Sequence, residues 1–489
     1  MRYDSDIRIP SFSGLMQYGD GINTDPRFAV ETANVDTVAG VLQPMAAATA
    51  LSGTTSKKIE TLAILHRRWY TGSDTVDDVL VGASEGVLYY RLTNASSWTA
   101  LAHPDGGATK WGNNVWSWVQ YEIAPTPPAT DPVDVLVMSN QTDGMVYVRI
   151  DDTSKAVTKV TTPKKFGVIA RHNERIWGGD IADDPDMVVY SAPYDFTDWA
   201  EDVETPEDGG GDIQQPTWDG DSFTALKQLG PQMIAFRKNT IWRILGTDPG
   251  EWTWKQQYGG GTAYENTIAV DRERILMLGN TGVLQYDGLG VSPFRQEYLR
   301  DFWETLNISA LEQACACVWK NKYFLSVPTG SSTTNSAVVV YDIMADTWLL
   351  RTDVTVESWL PTDNALYFTN VATPGVTYTW TADAWVSGVA ATPCKWVSPW
   401  FDLGAKDVRK GGWSVYLTAE GKAAGSLSIS IETEKKKKTK VYSYSTSTRQ
   451  KRIGFGGSGR RFRLHIESTG TTVWRILGGV QITTEIDPD

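Results

Sequence analysis

The sequence predicts an all-β chain: a β-propeller of six or seven blades followed by a C-terminal β-sandwich. Three observations predict it. Strand-rich units of about 40 residues return along the middle of the chain, the length of one propeller blade. Aromatics and glycine are abundant, with 21 Trp, 20 Tyr and 44 Gly in 489 residues, a mixture suited to pleated sheets joined by tight turns. From Lys395 onward the texture changes to long alternating strands separated by glycine turns, as in a small sandwich.

Residues 1–58 fit no blade. "IPSFSGLMQYGDGINTDPRFAVETANVDTVAGVLQPM" is punctuated by Gly and Pro and reads as an extended N-terminal segment. Within it, "RFAVETANVD" is expected to form a short helix. Residues 59–394 form the propeller. Its units begin with "IETLAILHRRWY" and "DDVLVGASEGVLYYRLTNASSWTAL", followed by "NNVWSWVQYEIAP" and "VDVLVMSNQTDGMVYVRIDD". Next come "FGVIARHNERIWGGD" with "DMVVYSAPYDFTDWAE", the segment Phe223 to Gln256, and the segment Thr267 to Phe294. The sixth unit joins "QACACVWKNKYFLSVPTG" to "VVVYDIMADTWLLRTD", and "VESWLPTDNALYFTNVATPGVTYTW" makes a seventh. Each offers an apolar strand, a polar turn and an aromatic-bearing strand. "NERIWGG", "PQMIAFRKNTIWRIL" and "TGVLQYDG" read as hairpins. Terminal aromatics, among them Trp98, Trp199, Trp252, Trp254 and Trp348, are expected to pack against the neighbouring blade, each burying on the order of 200 Å². Residues 395–489 form the basic sandwich.

Charge divides the chain unevenly. The net charge is −13, yet residues 405–489 hold 16 Lys and Arg against 8 Asp and Glu. That end therefore carries +8 and the remainder −21. An acidic body joined to a basic end predicts two surfaces with different partners. The opening "MRYDSDIRIPSFSG" has no apolar core of a signal peptide, and no apolar run reaches the roughly 18 residues of a membrane span. The expectation is a chain made in the cytosol, without leader or membrane segment.

Catalytic and metal signals are weak. Cys315 and Cys317 alternate on a strand and Cys394 stands apart; the spacing fits neither a zinc site nor a disulfide framework, so buried thiols are expected. His66, His103, His172 and His465 lack a second ligand at metal spacing. No G-x-S-x-G elbow, Walker A loop or H-E-x-x-H occurs. The acidic segment Asp180 to Asp221 lacks the Asp ladder and turn glycine of a calcium loop and reads as solvated. "SAPYDFTDW" loosely resembles the Asp-box turn of sialidases, where the motif is structural. The expectation is no enzyme, no cofactor and no metal. A glycan-binding or sialidase-like propeller is the first alternative, and a cellular propeller scaffold the second, against which stands the lack of recurring G-H…W-D pairs.

The basic features are "EKKKKTK", "RQKRIG" and "GRRFRLH". The lysine run is expected to cap a hairpin between "LSISIE" and "VYSYS". In the other two, Arg and Lys alternate with apolar residues, so one sheet face becomes positive. Base-reading elements are absent. Lys435, Lys436, Lys437, Lys438, Arg460, Arg461 and Arg463 are therefore the candidate docking residues for an acidic protein partner.

Four stretches carry a resemblance. They are the opening "IPSFSGLMQYGD…ETANVDTVAGVLQPM", "RIWGGDIADDPDMVVYSAPYDFTDW", "VVVYDIMADTWLLRTD" and "RQKRIGFGGSGRRFRLHIESTGTTVWRILGGVQIT". Their order resembles the β-propeller tail hub or nozzle proteins of short-tailed bacteriophages, the packaged-DNA stabilization proteins. The likeness is one of ordered texture over most of the chain. It implies a virion structural protein of the tail, assembled in the bacterial cytoplasm. It implies a homo-oligomeric ring, commonly of six copies, beside the portal, adaptor and other tail proteins. Such a ring continues or closes the DNA channel and retains the genome until ejection. Double-stranded DNA would pass without sequence recognition, along an acidic lumen that repels its phosphates. The family carries over no catalytic residues and no small-molecule substrate.

Overall fold

In the computed structural model the described residues are 3–487, apart from 19–20, 23, 56, 68–77, 107–108, 125–131, 152–153, 217–219, 258 and 382. The chain is all-β; its α-helices among the described residues are single turns, Arg300–Trp303 and Ala384–Ser387. Seven four-stranded antiparallel sheets follow one another, numbered 1 to 7 here: 61–100, 117–160, 168–214, 223–256, 269–293, 315–351 and 356–380. Sheet 7 has three strands of its own, and Thr49–Ala50 supplies the fourth by pairing with Tyr378 and Thr379.

These sheets form a closed circuit. The first strand of each of sheets 2 to 6 packs on the first strand of the next. Val356–Pro361 of sheet 7 packs on Thr61–Leu65 of sheet 1, which in turn meets Val133–Asn140 of sheet 2. The arrangement is propeller-like, and a closed circuit leaves no long free edge for aggregation.

Seven apolar clusters seal the circuit, each drawing side chains from two adjacent sheets. Alternation along each strand sends successive side chains into the two flanking seams. Val338 and Val340 enter the seam with sheet 7, while Val339 and Tyr341 enter the seam with sheet 5. The terminal tryptophans work as expected. Trp98, Trp199, Trp252, Trp254 and Trp348 each pack into the seam with the preceding sheet.

The stretch Val338–Asp353 shows how one unit is built. Asp342 accepts from the backbone N–H groups of Met344 (3.0 Å) and Ala345 (2.9 Å), fixing the turn between Ala337–Asp342 and Thr347–Arg351. Tyr341 donates its hydroxyl to Asp346. Trp348 is fully buried, and its Nε1 donates to Arg295 O at 3.2 Å. Other hairpins turn on residue pairs with positive φ: Glu85-Gly86, Asn173-Glu174 and Lys320-Asn321, the geometry that matches strand twist in two-residue loops.

Two further sheets make an end body around one core. The four-stranded end sheet runs in the order Tyr3–Ile9, Trp474–Asp487, Arg409–Gly421, Arg449–Gly459. The five-stranded end sheet runs Glu31–Ala33, Cys394–Val397, Phe462–Ser468, Gly425–Thr433, Lys437–Tyr444. Their apolar faces share a cluster that includes Trp396, Trp413, Trp474 and Phe462.

One expectation for the N-terminal segment is corrected: its short helix is absent. Residues 1–58 do not stand apart; they supply strands to both end sheets and to sheet 7. "RFAVETANVD" contains no helix but the strands Glu31–Ala33 and Val35–Asp36. The physical reason is distant pairing: Glu31, Thr32 and Ala33 lie opposite Val397, Trp396 and Lys395, which satisfies their backbone outside any helix. Asn34, at φ 54°, then clamps the turn by donating to Pro393 O (2.8 Å) and accepting from Thr352 N (2.8 Å). Gly14 allows the segment to lie against sheet 6. A Cβ there would fall 2.0 Å from Trp348 O, and Gly14 N–H donates to Thr347 Oγ1 at 2.9 Å.

Candidate docking surface

Two turns of the end body meet at its basic edge. The first joins Gly425–Thr433 to Lys437–Tyr444, as the lysine run predicts. Thr433 closes it: its N–H donates to Lys436 O at 2.8 Å, and its hydroxyl accepts from Lys436 N at 3.2 Å. Lys435 and Lys436 project from it, exposed. The second turn joins Arg449–Gly459 to Phe462–Ser468 and carries Arg460 and Arg461. Gly459 permits the approach of the two turns, since a Cβ would fall 2.8 Å from Thr433 Cβ. Arg461 N–H then donates to Glu434 Oε1 at 2.8 Å.

Between the turns lies a cleft of about 810 Å³. Lys406, Arg409, Lys435, Arg460 and Arg461 line it, opposed by Asp402, Asp407 and Glu434. The balance is positive, and the cations sit on backbone that is held in place. Lys410 does much of the holding. It is fully buried, and its ammonium donates to Arg460 O at 2.7 Å and to Ala405 O. Burial lowers its pKa. Lys435 also borders a smaller cleft, about 240 Å³, with Lys436 and Lys438.

The seven expected docking residues divide. Lys435, Lys436, Lys438, Arg460 and Arg461 face these two clefts. Lys437 and Arg463 do not join them. Lys437 pairs with Glu467 at 2.9 Å and Arg463 with Glu432 at 2.7 Å, so their charge is largely met within the end body. For Lys437 alternation is the reason, since it points to the face opposite Lys436 and Lys438; Arg463 shares a face with Arg461 and is drawn off by Glu432 instead. Arg461 and Arg463 lie over the Trp400 ring, 5.0 and 4.6 Å from its centroid. The "RQKRIG" strand contributes no cation to either cleft; Arg452 donates to Ser414 Oγ and Lys451 lies over Tyr442. Lys406, Arg409 and Lys410 were not among the expected residues, although the basic spacing of "AKDVRKGG" marks them.

Glu432 anchors the inward-paired set. Burial opposes its ionisation, but Arg463 and His465 hold it below the usual carboxylate range. Its Oε2 lies 2.6 Å from His465 Nε2. Burial lowers the His465 pKa.

Other candidate residues have structural surroundings. Cys315, Cys317 and Cys394 are buried free thiols, and burial pushes Cys394 up to about 12. His172 is buried at the end of Val168–His172, where burial lowers its pKa. Carboxylates of the acidic segment hold turns: Asp195 accepts from Thr197 N (2.8 Å), Asp198 from Ala200 N (3.0 Å), and Asp202 from Glu204 N (2.9 Å). Beneath "SAPYDFTDW" the rings of Phe196 and Trp199 are buried. Among the described residues no group of three His, Cys, Asp or Glu side chains is placed to hold a metal. No helix among them is long and apolar enough to cross a membrane.

No family model matches the chain, and no curated protein matches it. Solved structures resemble it weakly. The Neurospora crassa Pan2 WD40 domain is 12% identical over 68% of this chain and 94% of its own, with a TM-score of 0.37. A catalytically inactive virginiamycin B lyase from Staphylococcus aureus, with quinupristin, is 9% identical over 69% of this chain and 99% of its own, with a TM-score of 0.42. The computationally designed Ika8 protein is 11% identical over 68% of this chain and 100% of its own, with a TM-score of 0.36. Likenesses at this level carry no argument about function.

Proposed function

We propose that the chain is a structural protein of a short-tailed phage tail, a seven-bladed propeller with a C-terminal β-sandwich, and that the basic cleft docks it onto an acidic neighbour. The observation that carries the reading is the cleft between the turns at 434–436 and 459–461, with five cations against three carboxylates. It belongs to an end whose +8 opposes the −21 of the rest. The closed circuit of seven sheets supports the blade count, and the shared core of the end sheets supports the sandwich.

Copies assemble as a ring, six favoured, against portal, adaptor or other tail proteins. The ring continues the DNA channel and retains the genome without reading sequence. The acidic bulk disfavours adhesion of phosphates within a Debye length of about 8 Å, and the chain does no covalent chemistry in this role. The test is particle assembly with Lys435→Glu, Arg460→Glu and Arg461→Glu combined. The reading predicts loss of incorporation while the purified variant stays folded. Normal incorporation would contradict docking through this cleft.

A further inference from the structure

The two end sheets bring their outer strands side by side. Lys437–Tyr444 ends the five-stranded order and Arg449–Gly459 ends the four-stranded one, and the two strands touch. One end of this seam is laced. Tyr442 donates its hydroxyl to Arg449 O at 3.0 Å, and the Lys451 ammonium donates to Ser443 O. The other end holds a bulge. Gly456 and Gly457 lie between the pairs Gly411–Ser458 and Trp413–Phe455, opposite the single residue Gly412. An extra residue bends its strand and interrupts the ladder. The smaller cleft, about 240 Å³, opens there.

The floor and rim of this cleft differ in chemistry. Trp413, Ile431 and Phe455 line its floor, and all three belong to the core that the end sheets share. An apolar group placed there would continue that core. Lys435, Lys436 and Lys438 make the rim, and no carboxylate lines the cleft. Lys440 follows on the same face by alternation, its ammonium 5.8 Å from the Phe455 ring centroid. Among the described residues, the one lysine of this run with an ion pair is Lys437, on the other face.

We propose that this cleft seats one large apolar side chain of an acidic partner segment, with that segment's carboxylates on the surrounding lysines. The proposal rests on the reading that the basic end meets an acidic partner, and it names the chemistry of the contact. Charge specifies the segment, since four ammoniums stand here without a carboxylate. Size specifies the anchor. At about 240 Å³ the cleft falls short of the roughly 300–1,000 Å³ of a small-molecule pocket, yet it is several times the roughly 30 Å³ of one water. Residues two apart in an extended segment share a face, so acids two before and two after the anchor would reach lysines on both sides of the cleft.

The test is calorimetric titration of the full chain at low ionic strength with three peptides. They are acetyl-Glu-Asp-Leu-Asp-Glu-amide, the same peptide with serine for leucine, and the uncharged acetyl-Gln-Asn-Leu-Asn-Gln-amide. The leucine peptide is expected to bind about tenfold tighter than the serine peptide, and the uncharged one to give no heat. With photo-leucine in place of leucine, cross-links are expected within 431–438 and 455–458. Lys436→Ala combined with Lys438→Ala, both exposed in the parent, is expected to weaken the leucine peptide about tenfold. Equal affinity of the leucine and serine peptides, or cross-links elsewhere, would overturn this proposal and leave docking by charge alone intact. Silence with both acidic peptides would overturn it together with the docking reading.

Discussion

In the ring, sheet 5 takes all four of its strands from residues 269–293. In the end body, Tyr3–Ile9 pairs with Trp474–Asp487, and Glu31–Ala33 pairs with Cys394–Val397. Six ring sheets are thus complete within a short stretch of chain, whereas both end sheets need the two termini together. Closing a short loop costs less entropy than closing a long one, so the ring units are expected to form before the end sheets are complete. Sheet 7 stands between the cases: its fourth strand, Thr49–Ala50, arrives from the N-terminal segment. The surfaces differ in parallel, with acidic residues in excess on the ring part and basic ones in excess on the end.

The most severe break of this comparison is removal of residues 1–10. It deletes the edge strand Tyr3–Ile9, including the fully buried Ile9. Hydrogen exchange is expected to show lost protection across 409–487 with sheets 3 to 5 still protected. Uniform loss would mean that the two parts unfold as one.

Single tryptophans sharpen it. Trp474→Ala and Trp348→Ala each remove a fully buried ring and are expected to cost about 3–5 kcal/mol. The first should release exchange in the end sheets, the second in the seam between sheets 5 and 6. Denaturant melts with exchange mapping check both.

Smaller effects follow from charge. Burial pushes Glu265 from 4.5 up to about 7. A raised carboxyl penalises the folded state in full above the folded value, and the penalty is gone below the unfolded one. Glu265→Gln is therefore expected to stabilise the ring at pH 8 by about 1–2 kcal/mol and to make no difference at pH 4. Glu432 has the opposite sign. Its carboxyl is held low, so its contribution is present above the ordinary value of 4.5 and lost as pH falls through the folded one. Arg463→Ala should flatten that acid limb by less than about 1 kcal/mol, since the pair is partly exposed. Smallest of all, Arg460→Glu should shift stability by no more than about 0.5 kcal/mol while abolishing docking.

Legibility followed the same divide. Ring strands announced themselves through local alternation and turn chemistry: the Asp342 turn and the Trp348 seam are readable in sixteen consecutive residues. Glu31–Ala33 was misread because the partner that makes it a strand, Lys395–Val397, is far away in sequence. The cleft was legible in part. Clustered cations pointed to Lys435, Arg460 and Arg461, but sequence could not show that Glu432 and Glu467 draw Arg463 and Lys437 away. Lys410 escaped notice because a lysine is ordinarily exposed, and only the fold reveals two carbonyls waiting for its ammonium.

Electron cryomicroscopy of the purified full chain, alone and mixed with assembled tail connectors, tests the central claim most directly. The account predicts closed rings of copies around an open hole, each copy a seven-lobed disc with an appended body whose basic cleft faces the connector. Particles that remain single with connectors present, or a connector contact made by the acidic ring while the cleft stays open to solvent, would contradict it.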